Sequence, residues 1–329
     1  MLFITNRPLQ EGPDTVPGRK VHFKLDNNSA EQSVYFCRRD AQDDYTEIGS
    51  QAFMQAIKDS SAAQILIYIH GYSNLPEPNI FPRAEILQKM ANKECIDSVL
   101  VIPIIWPCDN DLGVIKDYYD DEIAADSSGV AFARVLEKFL AWREKPEQIE
   151  TPCLKRINLL SHSMGNRVFR QTLVEWATYF RGGELPLIFR NTFLVAADIV
   201  NESLEYGQEG RYICDCSRNV SVYFASDDLA LRASKVANLK NAVASRRLGH
   251  TGPENLDQTP RNVYAIDCDD LNTLYDNPTG HSYFLYAPGG RTPGVVFKHI
   301  CNSINTGRVD ADETTRRLIL KAKPPRRTV

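Results

Sequence analysis

The residue best suited to chemistry in this chain is a serine between an apolar run and a stretch with helical periodicity. Residues 161–165 read Ser-His-Ser-Met-Gly and follow the apolar run at 157–160. Small residues two positions before and after Ser163 let a strand and a helix approach each other at a sharp, strained turn. A helix starting there also points its first amides at an anion forming on a substrate. The pattern predicts a nucleophile elbow supported by His162 and Gly165, in preference to an ordinary turn rich in serine and glycine.

A serine nucleophile needs a base within hydrogen-bond reach and a carboxylate that orients the base. His281 follows the last apolar run in a Gly-His-Ser segment, so it is the predicted base. The order serine, acid, histidine along a chain of alternating strands and helices supports this choice. The alternative role for His281 is to cap a loop, and His250 is the reserve base.

Three aspartates follow predicted strands and are candidates for the orienting acid. Asp227 and Asp228 come after the apolar run at 220–225, and Asp198 comes after the run at 192–197. Asp228 is favoured because it stands just before the next element, and the other member of the pair is expected to cap the helix that follows. Asp198 is the third candidate, with a helix cap or a hydrogen bond at the cleft edge as its alternative role.

Two backbone amides are predicted to stabilise the oxyanion. One belongs to Met164, the residue after the nucleophile, and the other to Tyr72 in the His-Gly-Tyr loop after an early strand. Gly71 allows the backbone to approach closely because it has no Cβ. His70 is predicted to orient this loop from the cleft floor.

The elements that must position these residues follow from hydrophobic periodicity. Uninterrupted apolar runs indicate buried parallel strands, and they occur at 64–69, 98–106, 157–160, 192–197, 220–225 and 263–266. Helical patterns lie between them, at 83–92, at 128–143 and from the elbow to Gly182-Gly183. The alternation predicts an α/β fold, with a doubly wound and mostly parallel sheet. We expect one domain, with an antiparallel N-terminal edge at 1–60 (strands near 2–4 and 21–25), a core at 61–300 and a C-terminal helix and tail at 301–329.

Composition limits the classes of partner. The 329 residues carry a net charge of −4, which argues against nucleic acid as the main partner. The chain begins without a signal-peptide pattern and has no run of ~20 apolar residues, so we expect a soluble cytoplasmic protein without a transmembrane segment. Its eight cysteines are dispersed, which favours reduced thiols, and the Cys-Asp-Cys at 214–216 lacks further metal ligands. Neither a metal nor a cofactor is predicted.

An acidic stretch lies at 109–126. It lacks the glycine and terminal glutamate spacing of an EF-hand. We therefore expect a solvated loop at the active site, forming with 200–217 and 240–260 a cap that determines specificity.

Several segments together resemble the α/β-hydrolase superfamily, and more closely its bacterial branch of uncharacterised serine hydrolases. They are IHGYSN, IIWP followed by the acidic stretch with Tyr118 and Tyr119, LLSHSMGNR, LVAADIV, FASDDLAL and GHSYF. The similarity covers about 60–290 and departs from the usual elbow in having Ser161 for the first glycine. The resemblance implies Asp228 as the acid and His281 as the base.

The sequence thus predicts a serine hydrolase that cleaves a carboxylic ester, or alternatively a thioester or amide, of a small acyl substrate through an acyl-enzyme. Two other readings stay open: a catalytically silent fold that binds a ligand or partner, and acyl transfer to an acceptor other than water. The sequence specifies neither the acyl chain length nor the oligomeric state.

Overall fold

The computed structural model of the protein describes residues 1–108, 114–232 and 246–322. The strands of these residues form one sheet with the order β11-β10-β9-β8-β7-β5-β6-β1-β3-β4-β2. The strands are β1 Leu2–Thr5, β2 Lys20–Val21, β3 Tyr35–Ala41, β4 Asp44–Glu47, β5 Gln64–Ile69, β6 Val99–Ile105, β7 Arg156–His162, β8 Phe189–Val195, β9 Ser217–Phe224, β10 Val263–Asp267 and β11 Arg317–Ile319.

Strand β1 and strands β5 to β11 run parallel to one another, and β2 to β4 form an antiparallel edge. Each of the six apolar runs is a strand of the parallel part, because a strand covered on both faces must be apolar on both. The predicted mostly parallel α/β sheet with an antiparallel edge is therefore confirmed.

Helices cover both faces of the sheet. They are α1 Gly49–Asp59, α2 Phe81–Glu94, α3 Val114–Arg143, α4 Pro146–Glu150, α5 Gly165–Phe180, α6 Arg211–Asp215, α7 Leu248–Thr251, α8 Asn272–Tyr275 and α9 Val295–Thr306, with a π-helical turn at Pro76–Ile80, a 3₁₀ turn at Leu256–Gln258 and a further helix beginning at Leu229. One core lies under α1, α3 and α5, represented by Phe53, Phe132 and Phe169. A second lies under α2 and α9, represented by Leu87 and Ile300, and a third lies at the antiparallel edge, represented by Phe3 and Tyr45. The two layers bury the apolar stripes of the helices against the sheet.

The N-terminal edge has more strands than the sequence indicates. The predicted strand at 21–25 contracts to β2, and β3 and β4 were not predicted at all. Strand β3 ends in a polar half, and its pairing with β1 determines its conformation. Strand β1 also pairs in parallel with β6, so the edge continues the main sheet.

The predicted C-terminal surface helix is wrong for the residues after Thr306. Helix α9 ends there, with Gly307 in the left-handed region at φ 69°. The chain then adds β11 in parallel beside β10. Arg316 anchors this strand, since its buried guanidinium donates to Thr259 Oγ1 at 3.2 Å and to the Pro260 carbonyl at 3.0 Å. These long-range bonds are invisible in a local pattern. Residues 323–329 lie outside the described residues.

Candidate active site

Ser163 lies with Met164 between the end of β7 and the start of α5, and its φ is 54°. A residue with a side chain rarely adopts this left-handed conformation, and holding it costs about 1–3 kcal/mol. Neighbouring backbone holds the turn: the Ser163 amide donates to the Val195 carbonyl at 3.0 Å, and the Ser163 carbonyl accepts from the Asp198 amide at 3.2 Å. Asn166 Nδ2 donates to the same carbonyl at 2.9 Å. The strained elbow therefore depends on β8 and the loop after it.

Gly165 lies where α5 passes closest to β5. A Cβ at this position would be 2.5 Å from the His70 carbonyl oxygen and 2.8 Å from that of Ile69. Both contacts are closer than real Cβ atoms reach, and backbone atoms cannot rotate away. Glycine at position 165, two residues after the proposed nucleophile, is thus required for the contact between strand and helix at the elbow.

His70 holds the loop after β5 in place. The Trp106 amide donates to His70 Nε2 at 3.3 Å, so Nδ1 carries the proton and donates to the Gly71 carbonyl at 2.8 Å. The ring also stacks on Trp106, with centroids 5.2 Å apart. Complete burial lowers the pKa of His70 to about 3, so the imidazole is neutral. This bonding fixes the His70 ring between Trp106 and the loop after β5.

The loop after His70 passes directly over the serine. A Cβ on Gly71 would lie 2.8 Å from Ser163 Cβ and 3.3 Å from its Oγ, so the approach needs glycine. Asn74 Nδ2 donates to the Gly71 carbonyl at 3.0 Å and to the Tyr72 carbonyl at 2.6 Å. Neither the Tyr72 amide nor the Met164 amide has an acceptor in the described part of the chain. Each of these two amides belongs to a residue that directly follows Gly71 or Ser163.

His281 and Asp228 form a buried pair beside the elbow. His281 Nδ1 donates to Asp228 Oδ2 at 2.7 Å, and Asp228 is fully buried. The second oxygen of Asp228 accepts from the Leu231 amide at 3.0 Å, so the same carboxylate also caps the helix that begins at Leu229. Asp276 Oδ2 accepts from the His281 amide at 2.8 Å. Within the described residues, His281 Nε2 is buried and has no hydrogen-bond partner.

The electrostatics of His281 and His162 differ although their rings lie 4.7 Å apart. Burial disfavours a charged His281, but the Asp228 carboxylate outweighs it, and the pKa of His281 lies above its usual 6.5. Burial and the nearby His281 hold the pKa of His162 well below that value. The neutral His162 donates from Nε2 to the His281 carbonyl at 3.2 Å. It therefore fixes the base-bearing loop against the elbow.

The other acid candidates have separate partners. Asp227 Oδ1 accepts from Asn272 Nδ2 at 2.5 Å. Asp198 Oδ2 accepts from the Tyr118 hydroxyl at 2.8 Å, and its Oδ1 lies 3.0 Å from Arg247 Nε in a buried ion pair. Asp198 thus joins α3 to the segment before α7. The reserve base His250 lies in α7.

The expectation of a solvated acidic loop is wrong for residues 114–126. These residues begin the long helix α3, and Asp117 and Asp121 are buried. Asp121 Oδ2 accepts from the Ser73 amide at 2.9 Å, and Arg167 of α5 pairs with Glu122 and Asp126. Partners on other elements neutralise charges that look solvated in the sequence. Residues 109–113 and 240–245 of the predicted cap lie outside the described residues.

Two supports of the site were missed in the sequence. One is Asp276, whose carboxylate accepts from the amides of His281 and Ser282. It begins the segment Asp-Asn-Pro-Thr-Gly, a turn signal that could have indicated this role. The other is the Asp198–Arg247 pair, which joins residues 49 positions apart in the sequence and left no local signal.

A family described as alpha/beta hydrolase of unknown function (DUF900) matches residues 47–289. The protein belongs to this family.

A search of curated proteins returned no similar sequence. Among solved structures, esterase PE8 is 12% identical over 56% of this chain and 81% of its own, with a TM-score of 0.27. The Pyrococcus furiosus esterase Pf2001 is 14% identical over 63% and 74%, with a TM-score of 0.29. Phospholipase PlaB from Legionella pneumophila is 12% identical over 65% and 39%, with a TM-score of 0.27. Similarities at this level carry no argument about the substrate.

In the described residues, no helix combines the length and apolar character needed to cross a membrane. No group of three or more His, Cys, Asp and Glu side chains there could hold a metal ion.

Proposed function

We propose that this α/β hydrolase is a serine hydrolase that cleaves a carboxylic ester through an acyl-enzyme. Ser163 is the nucleophile, His281 the general base and Asp228 the acid that orients it. The observation that carries the proposal is the buried His281–Asp228 hydrogen bond, which leaves the other imidazole nitrogen without a partner among the described residues, next to the strained elbow. A base oriented at Nδ1 and unoccupied at Nε2 is ready to take a proton.

In the proposed reaction, the Ser163 hydroxyl attacks the ester carbonyl while its proton moves to His281 Nε2. The Tyr72 and Met164 amides donate to the oxyanion, and losing one such donor typically costs about 2.7–4 kcal/mol of transition-state stabilisation. Collapse of the tetrahedral intermediate expels the alcohol, which takes the proton from His281. Water then attacks the acyl-enzyme with the same base, releasing the carboxylic acid.

The test is labelling by a fluorophosphonate probe together with hydrolysis of p-nitrophenyl esters of increasing chain length. Ser163→Ala should abolish both while leaving the circular dichroism spectrum unchanged. Ser282→Ala is the matched control, because this serine lies next to the proposed base and should leave labelling intact. Undiminished labelling of Ser163→Ala would refute the proposal, and a wild-type protein that never labels would favour a silent binding fold.

A further inference from the structure

A cavity lies between the sheet and helices α1 and α3, and its mouth is at the opposite end of β7 from the elbow. Its volume is about 450 Å³. Sheet residues such as Ile67, Ile157 and Phe189 form one wall, and Phe53 of α1 and Phe139 of α3 form the other. We name it the amino-end cavity, because β7 and β8 begin at its mouth. A volume of this size falls in the range of about 300–1,000 Å³ that small-molecule sites occupy.

The partial exposure of Ile67 shows that the helices over this cavity do not cover the sheet as completely as is usual. Ile67 lies in the middle of β5, which has β6 on one side and β7 on the other. An interior parallel strand is normally covered on both faces, yet Ile67 is only half-buried. Protein interiors rarely leave voids larger than a water molecule. The helices therefore leave a ligand-sized apolar space uncovered over the sheet.

The amino-end cavity is separate from the proposed catalytic residues. Arg156 at its mouth begins β7, whereas Ser163 follows the end of the same strand. Seven residues at ~3.3 Å each place the mouth at Arg156 about 23 Å from Ser163. Ser163, Asp228 and His281 are not among the residues that line the cavity.

In the part of the chain that the structure describes, every charged residue that lines the amino-end cavity is basic. These residues are Arg143, Lys155, Arg156, Arg190 and Arg218. Asp97 pairs with Arg156 at 3.3 Å, and backbone carbonyls hold the Lys155 ammonium. Within the described residues, Arg143 and Arg218 have no acidic partner. Two guanidinium groups are thus available to an anion at the mouth.

The neighbourhood of Arg190 supports the positive character of the mouth. Burial, followed by the charges of Arg156 and Arg218, lowers the pKa of its guanidinium. The arginines are therefore close enough to repel one another, and an anion would relieve the repulsion. Apolar surface continues outward from the cavity, since Leu154 is 84% exposed and Leu187 is 64% exposed. The mouth thus joins an apolar surface to a cluster of cations.

We propose that the amino-end cavity binds a long-chain carboxylate, with the alkyl chain inside and the carboxylate at Arg143 and Arg218. The apolar walls favour a chain that leaves water, and the guanidinium geometry matches a carboxylate in a bidentate contact. The described lining residues include no acidic group that would repel such a head group, and Asp97 beside the mouth is paired with Arg156.

The experiment is isothermal titration calorimetry with octanoate, decanoate and dodecanoate below their micelle concentrations. It uses the Ser163→Ala protein, so that the outcome does not depend on the proposed hydrolase activity. Affinity should rise about fourfold for each added methylene, which is about fifteenfold between successive ligands. Decanol, which has the chain without the charge, should bind about tenfold more weakly than decanoate.

Variants at the mouth and on the wall separate the two parts of the proposal. The double variant Arg143→Gln with Arg218→Gln should weaken decanoate binding about tenfold and leave decanol binding unchanged. Arg291→Gln, at an exposed arginine outside the cavity, is the matched control and should change neither. Ile67→Phe should weaken the binding of both ligands, because the larger side chain takes up part of the cavity. Leu136→Trp takes up more of the same space from α3 and serves if Ile67→Phe fails to fold.

Three results would overturn the proposal. The first is the absence of binding by any of the carboxylates, and the second is equal affinity for decanoate and decanol. The third is a dimer, seen by size-exclusion chromatography, that binds no carboxylate and that Leu136→Trp dissociates. A second copy of the chain would then cover the cavity.

Discussion

Replacing Asp228 by asparagine tests the proposed roles of the acid and the base together. The carboxylate is fully buried and accepts from His281 Nδ1 at 2.7 Å. An asparagine amide turned toward the imidazole would donate to Nδ1 and place the proton on Nε2. The base could then no longer accept the serine proton. We expect kcat/KM to fall by about 10³–10⁴, which corresponds to ~4–5.5 kcal/mol of transition-state stabilisation.

The pH profile gives a second, independent readout of the same variant. A pKa above 6.5 leaves the wild-type His281 protonated at pH values where an ordinary histidine is neutral. The charged imidazole cannot act as a base, so wild-type activity should be lost as pH falls through a midpoint above 6.5. Without the carboxylate, burial dominates and lowers the pKa. The acid limb of the residual Asp228→Asn activity should therefore lie at lower pH than in the wild type.

The assay is hydrolysis of a p-nitrophenyl ester between pH 5 and 9, with kcat/KM measured at each pH. Asp227→Asn is the matched control, because this neighbouring carboxylate bonds Asn272 and not His281. It should lose less than about tenfold in kcat/KM and keep the wild-type acid limb. An Asp228→Asn enzyme with near-normal kcat/KM, or with an unshifted acid limb, would refute the assigned pair.

Two further substitutions test the scaffold of the site. Gly165→Ala should lower the free energy of unfolding by about 1–3 kcal/mol, because the new Cβ would lie 2.5 Å from the His70 carbonyl oxygen. A denaturation midpoint equal to that of the wild type would contradict the close contact. Arg247→Met should lower the free energy of unfolding by about 3–5 kcal/mol, because it removes the arginine that pairs with the buried Asp198 carboxylate. Urea titration measures this loss, and a loss below about 1 kcal/mol would show that the ion pair contributes little.

The sequence by itself determined the parallel strands and the elbow. Interior strands such as β5 and β6 are apolar along most or all of their length, and this local property is visible without any partner. The spacing of Ser161, Ser163 and Gly165 is equally local, since it reflects a turn of five residues. Chain order also indicated His281, because the segments after successive parallel strands meet at one edge of the sheet.

Tertiary structure decided what depends on distant partners. Adjacent carboxylates at 227 and 228 look equivalent in sequence, and only the folded chain directs one to His281 and the other to Asn272. Asp117 and Asp121 look solvated in sequence but lie buried in α3. Strand β11 pairs with β10, a strand remote from it in sequence. Likewise, the amino-end cavity results from how two helices lie on the sheet. Packing and charge pairing act between residues remote in sequence, so no local pattern contains them.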